Sequence, residues 1–273
     1  MSMTLLPEIR EGEASPEIAL IYADIRRCMR LPLVNLIYRH FATLPGVLPQ
    51  IWGLVRAMIL SGELETALLR MYRDLPIPQL TPFDESTIGR LDHLDQATIR
   101  RVLQAYNRGN GLNLNALTAI NLGHRQQRLG IPEIAEAVPD FEAPPLPRLL
   151  RLAELDRKTA NQLAHIALLH DGGPGVVPSL YLHLAHWPEF LAATCSRIEP
   201  LLNDGSIERA RRAAVDIARA KAERLLLIFL HGTTSVKLPE QAVGTLDLFV
   251  NRVIPEMIPV GLAVETALLG AVV

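Results

Sequence analysis

The chain repeats part of itself at a fixed offset, and this limits its architecture more than any other feature. Laying VNLIYRHFATLPGVL (34–48) over VPSLYLHLAHWPEFL (177–191) pairs Val34 with Val177, Tyr38 with Tyr181 and His40 with His183. It also pairs Ala42 with Ala185, Pro45 with Pro188 and Leu48 with Leu191. The same offset of 143 residues continues without a gap to Gly62/Gly205, Glu65/Glu208 and Ala67/Ala210. Further on, at offsets of 144 to 147, DQATIRRVLQAYNRGNGLNLNALTAINLG lies over EQAVGTLDLFVNRVIPEMIPVGLAVETALLG. That overlay pairs Gln96/Gln241, Ala97/Ala242, Asn107/Asn251 and Arg108/Arg252. A period this long excludes a solenoid of short repeats. It implies a duplication, with one repeat at 15–125 and the other at 158–270. The linker between them, 126–157, holds five prolines from Pro132 to Pro147, which favour a stiff, extended path. Two such units related by a pseudo-twofold axis and packed into one body place a pocket between the halves.

Each unit reads as helix. In SPEIALIYADIRRCM, Ile18, Ile21, Ile25 and Met29 share a face, with Ser15 as N-cap and Pro16 in the first turn. DQATIRRVLQAYNRG starts from an Asp95 cap and aligns Ile99, Val102, Leu103 and Tyr106. SIERARRAAVDIARAKAERLLLIFLHG reads as a helix of about 25 residues, capped by Ser206 and stopped by Gly232. Alternating runs bounded by hairpin turns are missing, so the fold class is all-α. With 273 residues, 49% of them hydrophobic, the chain has ample material for a core. A formal net charge of −2 offers no basic face for a nucleic-acid partner. Cys28 and Cys195 are too few for a disulfide framework. The start MSMTLLPEIREGEASPE lacks the basic and apolar regions of a secretory signal. Met257–Val273 has 17 residues and contains Glu265, too short a stretch to span a bilayer. The expectation is a soluble, cytoplasmic protein without a membrane partner.

The duplication also sorts residues. A side chain matched in both halves reads as scaffold, whereas a polar residue in one half alone needs another reason. Asn107, Arg108 and Glu65 fall in the first class, and Tyr38 and Tyr181 read as packing aromatics. In the second class, Arg39 faces Leu182, Thr43 faces His186 and Leu44 faces Trp187. GNGLNLN sets Asn110, Asn113 and Asn115 against apolar VIPEMIPV, which reads as a polar side of a pocket at a helix entry, or as capping. GNG and GGPG read as single turns. Hydrolase, zincin, P-loop and dinucleotide signatures are missing. Cys28, on an apolar-striped helix, reads as a partly buried thiol. His183 and His186 are one turn apart but have no third ligand at metal spacing, so neither metal nor cofactor is expected.

IYADIRRCMRLPLVNLIYRHFATLPGVLPQIWGLVRAMILSGELETA, YNRGNGLNLNALTAI and VVPSLYLHLAHWPEFL, in that order, resemble the group I 2-haloacid dehalogenases. That family is all-helical and internally duplicated, and unrelated to the Rossmann-like haloacid dehalogenase superfamily. The resemblance implies a site between the repeats and hydrolysis of small 2-halo carboxylic acids. A base-activated water would attack the α-carbon directly, with inversion and no ester intermediate. The family's base is an aspartate on a helix of the second repeat, aided by an asparagine from the first. SLYLHLAHWPEF has no aspartate, and the position falls on His183. Asn110 or Asn113 supplies the asparagine, and these three are the catalytic candidates. Tyr38 and Phe41, as pocket aromatics, join Arg39, Tyr181 and Trp187 as substrate-binding candidates. Arg39 would pair with the substrate carboxylate, unless backbone N–H groups at a helix start do so instead. The resemblance further implies a homodimer. Two readings follow: a dehalogenating hydrolase, or a non-dehalogenating homologue that binds small carboxylates or performs other chemistry.

Overall fold

The computed structural model describes residues 6–132, 140–170, 176–232 and 234–270, and it is built almost wholly from helices. α1 (Pro16–Met29) begins as expected, with the Ser15 hydroxyl accepting from the Ile18 N–H. There follow α2 (Leu36–Phe41), α3 (Val47–Leu60), α4 (Glu63–Asp74), the single turn α5 (Glu85–Ile88) and α6 (His93–Arg125). After the proline-rich segment come α7 (Arg157–Leu169), α8 (Ser179–Leu184), α9 (Pro188–Asn203) and α10 (Ser206–Leu226). α11 (Glu240–Leu248) and α12 (Ile254–Gly270) end the described chain. Moving the bounds of α2 by 143 positions gives those of α8, and α4 and α10 start at positions separated by the same offset. Gly62 and Gly205, which precede α4 and α10, both have φ near +75°, a conformation that a Cβ disfavours.

Several boundaries differ from the sequence expectation. α6 starts two residues before Asp95, and Asp92 is its cap, accepting the Asp95 N–H at 2.7 Å. It then runs 33 residues straight through GNGLNLN, so its asparagines lie in mid-helix and not at an entry. The glycines there serve close packing. A Cβ on Gly109 would fall 2.8 Å from the Asn35 amide, and one on Gly111 would fall 2.3 Å from Leu68. α10 is capped by Gly205, not Ser206, and passes into a 3-10 turn at Leu227–His231. The GGPG run at 172–175 lies outside the described residues.

Met257–Gly270 belongs to a longer helical run, Glu240–Gly270, of 31 residues. By length and composition alone this run could cross a membrane, but most of its apolar window is buried inside the protein. The run is interrupted by a π-helical turn at Phe249–Val253. Pro255 has no N–H for the Asn251 carbonyl, and the Arg211 guanidinium donates to that carbonyl instead. α6, α10 and α12 pack together at the centre, and the core joins side chains from both halves. A two-residue antiparallel pairing, Gly130–Ile131 with Thr234–Ser235, ties the end of the first half to the second. Gly232 packs so closely there that a Cβ would fall 2.4 Å from the Gly130 backbone.

Candidate active site

A small cavity of about 40 Å³ lies where α2, α6, α8 and the Phe249–Met257 segment meet. Its two walls differ in chemistry. Asn35, Tyr106, Asn110 and Asn113, with Leu36 and Ile37, come from the first half. Pro178, Ser179, Leu180, Phe249, Val253, Ile254 and Met257 come from the second, and only Ser179 among them has a polar side chain. Several lining positions are separated by the offsets at which the sequence repeats. Asn35/Pro178, Leu36/Ser179 and Ile37/Leu180 are separated by 143 residues, and Asn110/Ile254 and Asn113/Met257 by 144.

Asn113 is the best-defined polar group of this cavity. Its Oδ1 accepts the Tyr38 hydroxyl at 2.7 Å, which fixes the amide plane. Its Nδ2 has no partner although the residue is only 1% exposed. A buried amide left with two unused N–H donors costs about 1–3 kcal/mol unless something accepts from them. Asn35 Oδ1, across from Gly109, is unpartnered too. The starts of α2 and α8 meet at the cavity, and neither carries a side-chain cap.

A second, larger groove of about 420 Å³ opens on the other side of α2 and α8. It is lined by His183, Arg39, Pro147 and the charged residues Arg10, Glu11, Glu13, Arg148 and Arg151. The proline-rich segment crosses here, and the Pro147 and Arg148 carbonyls meet His183 and His186, each at 2.8 Å.

The sequence candidates therefore separate. Asn110 and Asn113 line the small cavity. His183 does not. The α8 residues that reach the cavity are Ser179 and Leu180, and His183, one helical turn further on, opens to the groove. Arg39 also lines the groove and is 5% exposed. Its Nε donates to Glu8 at 2.6 Å, and its remaining nitrogens donate to the Val34 carbonyl and, at 3.0 Å, to Ser179 Oγ. Tyr38 and Phe41 are wholly buried behind the cavity rather than in its lining, with Tyr38 edge-on to Trp52. Tyr181 is buried against His170, at 2.8 Å, and Trp187 donates to Asp95 at 2.8 Å away from the cavity. Burial raises the Cys28 thiol to about 11 and Cys195 to about 12, so both stay protonated.

Asn35, Ser179 and Tyr106 are cavity residues that the sequence reading did not single out. Asn35/Pro178 and Leu36/Ser179 are polar in one half only, so the test of asymmetry marks both. Tyr106 was hidden by its place on the apolar face of α6.

Comparison with known proteins bears on the fold. No family model matches the chain. The mutant structure of a D-2-haloacid dehalogenase superposes with a TM-score of 0.71, covering 100% of this chain and 98% of that one at 16% identity. The fold is that of D-2-haloacid dehalogenase. A D-2-haloacid dehalogenase mutant in complex with D-2-CPA gives 0.70 at 16% identity, covering 99% of this chain and 97% of that one. A D-2-haloacid dehalogenase complex with L-LA gives 0.69 at 16% identity, over 100% of this chain and 98% of that one. In sequence, the chain is 27% identical over 233 residues to a configuration-inverting 2-haloacid dehalogenase of Alcaligenes xylosoxydans xylosoxydans. That match takes in 78% of this chain and 75% of the relative, and it supports homology to the configuration-inverting 2-haloacid dehalogenases. Against that fold one absence stands out. Among the described residues lining the cavity there is no Asp, Glu or His.

Proposed function

We propose that the chain is a dehalogenase-like hydrolase of small 2-halo carboxylic acids, working in the cavity between α2, α6, α8 and α12. A water held there attacks the α-carbon directly, the halide leaves and the configuration inverts. The pairing of lining positions at the repeat offsets is what a cavity between two duplicated halves would give, and it supports this placement. The observation that carries this reading is the Asn113 amide, whose Oδ1 is held by Tyr38 while its buried Nδ2 has no acceptor. Two N–H donors fixed in a buried cavity suit a carboxylate oxygen or a departing halide, and they need no reorganisation during the reaction. Asn110 and Asn35 add amides on the same wall, and the apolar wall suits the alkyl substituent. About 40 Å³ holds roughly three waters, which restricts the substrate to two- or three-carbon acids. The similarity to 2-haloacid dehalogenases supports the same substrate class.

A second reading has one observation in its favour. Without a carboxylate in the cavity, the chain would bind small carboxylates as a non-dehalogenating homologue. Incubation with 2-chloropropionate separates the two. The hydrolase releases chloride and forms the 2-hydroxy acid of inverted configuration. Thermal stabilisation by the acid without chloride release overturns the hydrolase and leaves the binding protein.

A further inference from the structure

A line of buried polar groups joins the small cavity to the groove, and the reading above gives it no task. The hydroxyl of cavity residue Tyr106 lies 2.7 Å from Nδ1 of His183, and Nε2 of His183 lies 2.8 Å from the Pro147 carbonyl. A carbonyl oxygen only accepts, so Nε2 carries the ring proton and Nδ1 accepts from the phenol. Ser179, whose Oγ accepts from Arg39 at 3.0 Å, lines the cavity beside Tyr106. Tyr106 and His183 are each 4% exposed.

We propose that Tyr106 takes the proton of the attacking water while passing its own proton to His183, so that this pair stands in for a carboxylate base. The proposal deepens the hydrolase reading and rests on it. In the step, the water oxygen bonds to the α-carbon as the carbon–halide bond breaks, and the halide leaves with that bonding pair. The water proton goes to the Tyr106 oxygen, and the phenolic proton goes to His183 Nδ1. The products are the 2-hydroxy acid, the halide and an imidazolium. When water refills the cavity, that proton returns through Tyr106 to solvent.

The surroundings suit both members of the pair. Burial above all lowers His183 to about 4, with Arg39 and His186 adding like charge against the Pro147 carbonyl. An imidazole there has the basicity of an ordinary aspartate, about 3.9, and readily gives its proton back at neutral pH. Burial pushes Tyr106 well above the usual phenol range, so it rests protonated. The Ser179 hydroxyl and the nearby Arg39 charge stabilise the negative charge that crosses its oxygen in the step. Of the other charges around His183, Glu11 pairs with Arg26, Glu13 with Arg151 and Arg148 with Glu154, while Arg10 and Arg39 share Glu8 and leave one net positive charge, which acts in the same direction as burial.

The test measures chloride release from 2-chloropropionate between pH 4 and 9 for wild type, His183→Gln and Tyr106→Phe, with the thermal midpoint of each. Glutamine can accept from Tyr106 and donate to Pro147 without acting as a base. Both variants are expected to lose at least about 100-fold in kcat with KM within about threefold. The acid limb of the wild-type profile, near pH 4, is expected to vanish from the residual activity of His183→Gln. Either variant keeping kcat within about threefold, or an acid limb surviving in His183→Gln, overturns the relay and leaves the hydrolase standing. A wild type that releases no chloride overturns the hydrolase reading itself, and the relay with it. Should a variant fail to fold, ¹⁵N resonances of wild-type His183 decide. The Nε2–H tautomer titrating near 4 supports the relay, and the opposite tautomer or titration near 6.5 overturns it.

Discussion

His40 and His183 hold matched places in the two halves, are each 4% exposed, and each meet a proline carbonyl. His40 does so with Nδ1, 2.8 Å from Pro7, whereas His183 does so with Nε2, 2.8 Å from Pro147. The ring proton therefore sits on opposite nitrogens, and opposite nitrogens are left for the remaining contact. In His40 that nitrogen faces the Thr245 hydroxyl at 3.2 Å, within the scaffold. In His183 it faces Tyr106, which opens on the cavity. Tyr38 and Tyr181 diverge in the same way. Tyr38 holds the Asn113 amide, whereas Tyr181 pairs with His170, whose Nδ1 meets the buried Glu256 at 3.1 Å. A residue kept in both halves thus shares a backbone setting, while its task depends on what its free atom meets. The rule that matched residues are scaffold suits His40, whereas the proposed relay gives its partner His183 a further task.

The largest expected effect tests the cavity walls against each other. Asn113→Leu gives the first half the apolar character that Met257 already provides in the second. Loss of both N–H donors is expected to lower kcat/KM for 2-chloropropionate about 10²–10³-fold, and an unchanged value would break the contrast between the walls.

The two histidines are next. Below about pH 6.5 the unfolded chain takes up a proton that native His183, at about 4, refuses. Stability is therefore fully present above pH 6.5, falls as the pH drops towards 4, and levels off below that. The fall attributable to this residue is about 3 kcal/mol, read from urea unfolding midpoints across that range. His183→Gln is expected to remove this portion, and His40→Gln to leave it and the turnover in place.

The tyrosines give a smaller effect. Tyr38→Phe frees the Asn113 amide to rotate and is expected to lower kcat/KM about tenfold, near 1.4 kcal/mol. Tyr181→Phe is expected to cost about 1 kcal/mol of stability, seen as a lower thermal midpoint, with kcat/KM unchanged. Equal kinetic losses in both variants would erase the distinction.

How much was legible in the sequence follows from the range of the forces involved. Apolar spacing in SPEIALIYADIRRCM, together with Ser15 and Pro16, is local, and α1 starts where they place it. The asymmetry of the GNGLNLN asparagines leaves a polar pocket wall and helix capping both open, and in the structure Asn110 and Asn113 line the cavity from mid-helix. Their setting was not legible, because glycines that suggest a turn also let two helices approach closely. Gly109 and Gly111 remain helical since Asn35, Leu68 and Tyr72 fill the space that side chains would occupy. Arg39, chosen for its unmatched charge, is taken by Glu8 from a segment about thirty residues earlier in the chain.

The sequence by itself determined an all-helical chain and the order and approximate span of its main helices. It also determined the pairs of positions that recur at a constant offset. These depend on residues within a turn or two of one another, where backbone hydrogen bonding and apolar spacing act directly. Tertiary structure alone decided that Ser179 and Leu180, not His183, reach the cavity from α8. It also decided which nitrogen of His183 carries the proton, through Pro147 and through Tyr106, 77 residues away along the chain. A ring tautomer is set by the nearest acceptor in space, and sequence spacing alone does not place that acceptor.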